Sequence, residues 1–219
     1  MNIKSSKYLK ENYKLFNNTG ATADIYQDKD NYLLLKIFRT RKDEYDIDKW
    51  NKLSELKTNY FAFPIDIIYI RNVIKGYTMY KKDGLIFDEL DIDILIKDFI
   101  EALKKLEYDL RIISENNIKI LDLHTGNILY DSNEKAINII DSDEYGHLCI
   151  YNDLYVYNVR ALANLILKFI DIPLYNKENI NSIKELVNYV IYQINILEEI
   201  YKMDIKSISD IKSLKKIKL

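Results

Sequence analysis

The sequence predicts an α+β fold built in two parts, and three observations carry that prediction. Extended segments separated by turn-forming residues fill the first third, apolar residues recur about every 3.6 positions from Ile92 onward, and the change falls at residues 81–84. With 219 residues, the chain can form one large domain or two small lobes around a sizeable core. This sets a β-rich part over residues 1–82 and a mainly helical part over residues 83–219.

Only five glycines and two prolines punctuate the chain, and Gly20, Gly76, Gly84, Gly126 and Gly146 all stand between apolar segments, where loops belong. A strand is expected near residues 13–16, a turn at 17–20, a strand near 24–27, a turn at 28–31 and a strand over 32–38. The charged run 43–57 has helical character. Extended segments return at 65–70 and 74–80, with Arg71, Asn72 and Val73 between them. Beyond Gly84, Ile92, Leu95, Ile96, Phe99, Leu103 and Leu106 mark one face of a long helix running to about Leu110. A short hairpin follows, then helices over 153–170, 183–201 and a lysine-rich 205–219. No internal repeat or low-complexity linker interrupts this order.

Composition narrows the function classes. Apolar residues make up 48% of the chain, and 32 basic residues nearly cancel 34 acidic ones, so charge gives no argument for nucleic acid or a membrane surface as partner. One cysteine, Cys149, excludes an intramolecular disulfide and a cysteine-based metal cluster, and two histidines argue against a zinc site at His147. No segment approaches the roughly 18 apolar residues of a membrane span, and the polar N-terminus lacks a signal-peptide run. A cytoplasmic, soluble protein is expected.

The stretch Asp122, Leu123, His124, Thr125, Gly126, Asn127 concentrates the chemistry. The spacing Asp-x4-Asn alone means little, because it recurs at Asp46/Asn51, Asp153/Asn158 and Asp171/Asn176. The setting of the Asp122 copy differs: Ile118, Ile120 and Leu121 lead in, Gly126 supplies a turn, and residues 128–130 leave as an apolar strand. A turn at 131–134 and a second strand ending on Asp141 complete a hairpin, which would bring Asn127 and Asp141 to one end of two adjacent strands. Phosphoryl transfer needs one carboxylate at the acceptor hydroxyl, and an amide oxygen with a second carboxylate to hold magnesium on a nucleotide's phosphates. Asp122, Asn127 and Asp141 could fill these roles in that order; ordinary surface carboxylates around a hairpin are the alternative.

The first part offers donors for phosphates. Gly20, Ala21 and Thr22 lie in a small-residue loop between two strands, suited to close approach of backbone amides to phosphate oxygens, or else to a plain hairpin turn. Lys36 sits in an otherwise apolar strand, Leu33, Leu34, Leu35, Lys36, Ile37, Phe38. A buried, unpaired ammonium is costly, so Lys36 must meet an anion or lie on an edge strand and reach solvent.

The order of parts is small-residue loop, strand lysine, helix, two strands, hinge, long helix, Asp-x4-Asn hairpin and a closing Asp. Over about residues 13–170 it resembles the protein-kinase-like superfamily. The resemblance implies a two-lobed fold with a β-rich N-lobe and a mainly helical C-lobe, with ATP and Mg2+ as cofactors. Lys36 would hold the α- and β-phosphates, Asp122 would orient or deprotonate the acceptor hydroxyl, and Asn127 and Asp141 would ligate magnesium. Met79, Tyr80 and Lys81 would form the hinge that contacts adenine through backbone groups. The helix acid that pairs with the strand lysine would be Glu44, whose longer arm reaches farther, with Asp46 as the alternative on an apolar face beside Trp50 and Leu53.

Departures from the pattern bear on the acceptor. Ile120 and Leu121 stand where eukaryotic-type protein kinases have His-Arg, and His124 stands where they commonly have Lys. Asp-Leu-His-x-x-Asn is similar to the loop of aminoglycoside- and choline-type phosphotransferases and of atypical bacterial kinases. His124 would assist at the γ-phosphate or shape the loop through a hydrogen bond. Asp-Phe-Gly is replaced by Asp141, Ser142 and Asp143; Asp141 is preferred over Asp143 as ligand because it directly follows the apolar strand. About ten residues separate Asp141 from the next helix, too few for a long phosphorylated activation segment. The expected activity is a small Ser/Thr protein kinase, with a small-molecule kinase or a nucleotide-binding pseudokinase as alternatives.

Overall fold

The computed structural model describes residues 1–30, 32–39, 47–90, 93–147, 153–173 and 180–216. The chain is α+β and divides into two compact units, one of Met1–Lys57 with Ala62–Lys82, the other of Thr58–Phe61 with Asp83–Leu219.

Among the described residues, the first unit is a mixed six-stranded sheet with two helices. Its strands are β1 (Asn2–Ile3), β2 (Lys14–Asn17), β3 (Ala23–Gln27), β4 (Leu33–Phe38), β5 (Pro64–Ile70) and β6 (Val73–Tyr80), in the order β1-β5-β6-β4-β3-β2. All neighbours are antiparallel except β1, which runs parallel to β5. Strand period two sends Leu35 and Ile37 to one face, where they join Ile3, Leu9, Tyr26, Ile68 and Ile70 in a buried cluster. The β5–β6 connection is tighter than the three residues expected. Arg71 and Asn72 both have positive φ, 51° and 61°, the geometry of a two-residue turn that matches strand twist, so Val73 joins the strand.

Helix α1 (Ser6–Asn12) was not foreseen. Its only buried residue is Leu9, too little for an apolar stripe, and the local signal is Ser5, whose side chain caps the Tyr8 amide at 3.1 Å. Helix α2 (Ile47–Ser54) buries Trp50 and Leu53 and exposes Asp48 and Asn51, the faces expected from its sequence. Trp50 stacks on Phe38 (centroids 5.8 Å apart, planes 6° apart) and meets Tyr77 edge-on at 5.0 Å. Glu44 and Asp46, the candidate helix acids, lie outside the described residues.

The second unit is built on helix α3 (Ile96–Glu115), which packs against α4 (Leu154–Phe169) and α5 (Ile183–Tyr201). α3 runs five residues past the expected end because Leu106, Leu110 and Ile113 continue its buried stripe; it stops at Asn116, and Asn117 turns left-handed at φ 59°. Short strands flank it: β7 (Leu85–Ile86), ahead of α3, pairs with β9 (Ile128–Asp131), β9 with β10 (Ala136–Ile139), and β8 (Ile118–Lys119) with β11 (Gly146–His147). Gly84 is fixed by φ 125° and by the Tyr130 carbonyl, 2.7 Å from where a Cβ would stand. Helix α6 (Ile208–Lys216) closes the unit, its entry bonded to residues 94–96 through Ile208 N to Ile94 O and Ile96 N to Lys206 O. Among the described residues, no helix is long and apolar enough to cross a membrane.

Candidate active site

The lead-in to the Asp122 loop is held by one buried amide. Asn158 of α4 is fully buried, accepts from the Ile120 amide through Oδ1 at 2.9 Å, and donates through Nδ2 to Ser114 Oγ and the Ile118 carbonyl, both at 2.9 Å. Ser114 in turn donates to the Leu110 carbonyl. The network ties α3, α4 and residues 118–120 together, satisfying each polar group away from water. Asp109 on α3 does the same for the segment Thr58–Phe61, accepting from the Asn59 and Tyr60 amides at 2.8 and 2.7 Å. The Tyr60 carbonyl then accepts from Ile139 N at the end of β10.

On this support the loop turns sharply. Asp122 has φ 54° and leaves its side chain exposed; residues Thr125–Asn127 form a single 3-10 turn. Aspartate tolerates the left-handed region better than most residues, yet such conformations persist only where the surroundings impose them. Asn127 is buried, and its Nδ2 donates to the Asp122 carbonyl at 3.1 Å. With the nitrogen so engaged, the carboxamide oxygen is the group left to act as a ligand.

The hairpin brings Asn127 and Asp141 together at one end. Ile128 pairs with Ile139, Ile140 N donates to Asn127 O at 2.9 Å, and Asp141 follows at once with φ 62°. At the far end, Asp131 Oδ1 accepts from the Asn133 and Glu134 amides, so the turn expected at 131–134 is shaped by an aspartate side chain. Asp143 stands two residues farther on, its amide 3.5 Å from Asp141 Oδ1. Tyr145 packs edge-on against Phe61 and is fully buried; burial first, then the charge of Asp141, hold its phenol far above the ordinary range and keep it neutral. Ser142 is also buried, and its Oγ has no hydrogen-bond partner among the described residues.

His124 shapes the loop: its Nδ1 accepts from the Gly126 amide at 3.1 Å, which places the proton of a neutral ring on the exposed side, at Nε2. A Cβ on Gly126 would come within 3.0 Å of this ring, so glycine lets the imidazole cap the turn. Magnesium keeps several waters and takes one or two protein oxygens together with phosphates, so a pair like Asn127 and Asp141 suits it in number and kind. Among the described residues no cluster of three or more metal-ligating side chains occurs.

In the first unit, Lys36 lies on the interior strand β4, 4% exposed, flanked by β3 and β6. Its ammonium stands 5.7 Å from the Phe38 ring and 6.0 Å from Tyr77, on the face that carries Trp50. An edge-strand lysine reaching solvent is therefore not what the fold contains. Gly76, expected in a loop, lies inside β6 instead, where it makes this strand pairing possible, since a Cβ there would lie 1.7 Å from the Lys36 carbonyl. Gly20, Ala21 and Thr22 form an exposed loop between β2 and β3, held by Arg39. Of the hinge residues, Met79 is buried, Tyr80 is exposed, and the Lys81 amide donates to the Tyr32 carbonyl at 2.9 Å.

Three anchors escaped the sequence reading. Asn158 belonged to a chance Asp-x4-Asn copy; its signal is a carboxamide on the buried stripe of an apolar helix, while its partner Asp153 merely caps α4 through the Val156 amide. Asp109 sits on the stripe of Leu106 and Ile113, an acid where only apolar residues fit unless bonded. Arg39 had no local signal. Of the other two copies, Asp46 and Asn176 lie outside the described residues. The sequence matches no model of a known protein family, and no curated protein matches it.

Proposed function

We propose that this chain is an ATP- and magnesium-dependent phosphotransferase of two-lobed, kinase-like fold that moves the γ-phosphate to a hydroxyl. One observation carries the reading: the hairpin sets Asn127 and Asp141 at one end, and the Asn127 amide is locked onto the Asp122 carbonyl so that its oxygen is left as ligand. A hairpin built only for packing has no need of that arrangement. The buried Lys36 on an interior strand supports it, because a lysine in such a setting matches a role at phosphate oxygens.

In the proposed reaction the exposed Asp122 carboxylate orients the acceptor hydroxyl and takes its proton as the new oxygen–phosphorus bond forms. The bond from the γ-phosphorus to the β–γ bridging oxygen breaks, and ADP leaves. Magnesium, held by Asn127 and Asp141, would neutralise charge on the phosphates. Lys36 contributes a fixed positive charge, so the rate gain comes from positioning and charge stabilisation. His124 Nε2–H is available as a donor to the transferred group, while Nδ1 maintains the loop.

The acceptor class is a Ser or Thr hydroxyl of a protein. A small-molecule alcohol is the second reading, favoured by the short path from Asp141 to β11, where the chain already pairs with β8, and on to α4. Incubation of wild type and Asp122→Asn with labelled ATP, read by turnover and intact mass, tests both. Label on protein supports the first reading and label confined to a low-mass alcohol the second. Stabilisation by ATP and magnesium with no consumption across acceptors would point to a pseudokinase and sink the catalytic proposal.

A further inference from the structure

We infer that Arg39 is the positioning residue of the phosphate loop, drawing main-chain carbonyls onto its guanidinium so that the Ala21 amide hydrogen faces an anionic polyphosphate. The inference rests on the reading of residues 18–24 as the loop that meets the nucleotide. Among the described residues, the hydrogen bonds of Arg39 all go to that stretch. Nη1 donates to the Gly20 carbonyl at 2.8 Å, Nη2 to the Asn18 carbonyl at 2.5 Å, and the Arg39 amide to the Thr22 carbonyl at 3.0 Å. Asp24 Oδ1 accepts from Nε at 2.9 Å and from Nη2 at 2.7 Å.

Peptide planarity turns these bonds into a statement about the amides. In a trans peptide the C=O and the following N–H point in opposite directions. Carbonyls 18, 20 and 22 all point at Arg39, so the amides of Thr19, Ala21 and Ala23 point away from it. Thr19 N–H is taken by Asn17 Oδ1 at 2.8 Å, and Ala23 begins β3 opposite Phe38. Ala21 N–H is left, without a hydrogen-bond partner among the described residues, at the exposed tip of the loop.

Charge acts in the same direction. Asp24 would repel a polyphosphate entering the loop, and the guanidinium that grips the carbonyls also neutralises it. Only a planar fork can serve two carbonyls and a carboxylate at once; a lysine ammonium has the charge without that geometry. The pair is partly exposed, 38% and 31% at the side chains, so its contribution to stability is small and its effect falls on loop geometry.

The test compares wild type, Arg39→Gln, Arg39→Lys and Asp24→Asn as full chains. Calorimetric affinities for magnesium-ATP, magnesium-ADP and adenosine are measured, with melting temperature in the absence of nucleotide. Arg39→Gln is expected to lose about tenfold in affinity for ATP and ADP, as the oriented Ala21 donor to a charged oxygen is lost, with adenosine within twofold. Its melting temperature should stay near wild type, and Arg39→Lys should recover only part of the affinity. Should Arg39→Gln unfold, Arg39→Lys is expected to show a smaller loss with the same selectivity for phosphates, while Asp24→Asn, which removes the repelling carboxylate, should bind ATP at least as tightly as wild type. Equal losses for ATP and adenosine, or wild-type ATP affinity in a folded Arg39 variant, would overturn the inference while leaving the phosphotransferase reading intact. Absence of ATP binding in wild type would instead overturn both.

Discussion

The Asn127 side-chain amide donates to the main-chain carbonyl of Asp122 across 3.1 Å, so the residue proposed to hold the cation also sets the backbone of the residue proposed to hold the acceptor. The two functions can be separated by substitution. Asn127→Asp keeps an oxygen ligand but removes the donor; its kcat should fall at least about tenfold while the magnesium requirement holds. Asn127→Ala loses both, and the magnesium needed for half-maximal turnover should rise roughly 10–100-fold. Turnover measured against magnesium concentration distinguishes the two variants.

Asp122→Asn preserves size and exposure but cannot take a proton. Its kcat should drop by about 10²–10⁴ with KM for ATP little changed, since the lost interaction is with the acceptor. Full activity in steady-state assays would remove Asp122 as the base.

Asn158→Leu should destabilise the second unit. It strands the Ile120 amide and removes the donor to the Ile118 carbonyl and to Ser114 Oγ, at roughly 1–3 kcal/mol for each buried group left unpaired. A total near 3 kcal/mol is expected in denaturant unfolding, after some relaxation. Asn158→Asp keeps the acceptor for Ile120 and should fall between wild type and Asn158→Leu.

Gly76→Ala places a methyl where the Lys36 carbonyl already stands, 1.7 Å away, so β4 and β6 must separate. A loss of at least about 2 kcal/mol is expected in thermal unfolding. Because the strand that shifts carries Lys36, ATP affinity should fall with it.

Acid should loosen the attachment of α6. Partial burial opposes the charge on Asp93, but the Ser209 and Ser207 hydroxyls and the Ser209 amide, 3.2 Å from Oδ1, outweigh it and hold the carboxyl below its usual range. A carboxyl depressed in the folded state stabilises fully above its unfolded pKa and loses that contribution as pH falls through the folded value. Asp93→Asn should therefore be less stable than wild type at pH 7, and the gap should close below about pH 4. Unfolding curves recorded across that range check the sign.

Much of the element order was legible because its signals are local. The helix Ile183–Tyr201 has the bounds expected, β4 and β5 differ from expectation by a residue, and the β9–β10 hairpin stands where Asp131 and the flanking isoleucines put it. Errors occurred where the signal is weak or distant. β1 is two residues long and exists only through its parallel pairing with β5, and α1 has one buried residue. The end of α3 was readable from Ile113 but was placed too early.

The sequence by itself determined the α+β order, the hairpin that joins Asn127 to Asp141, and the chemical identities of Asp122, His124 and Lys36. Period, turn residues and neighbouring apolar runs act over a few residues, so they are readable without a partner strand. Only the tertiary structure decided that Lys36 is interior, that Asn158 holds the loop's lead-in, and that Arg39 closes on Asn18 and Gly20. The reason is physical. Alternation tells which face a strand residue takes, whereas exposure depends on which strands flank it, and the order β5-β6-β4-β3 is set by pairings between distant segments.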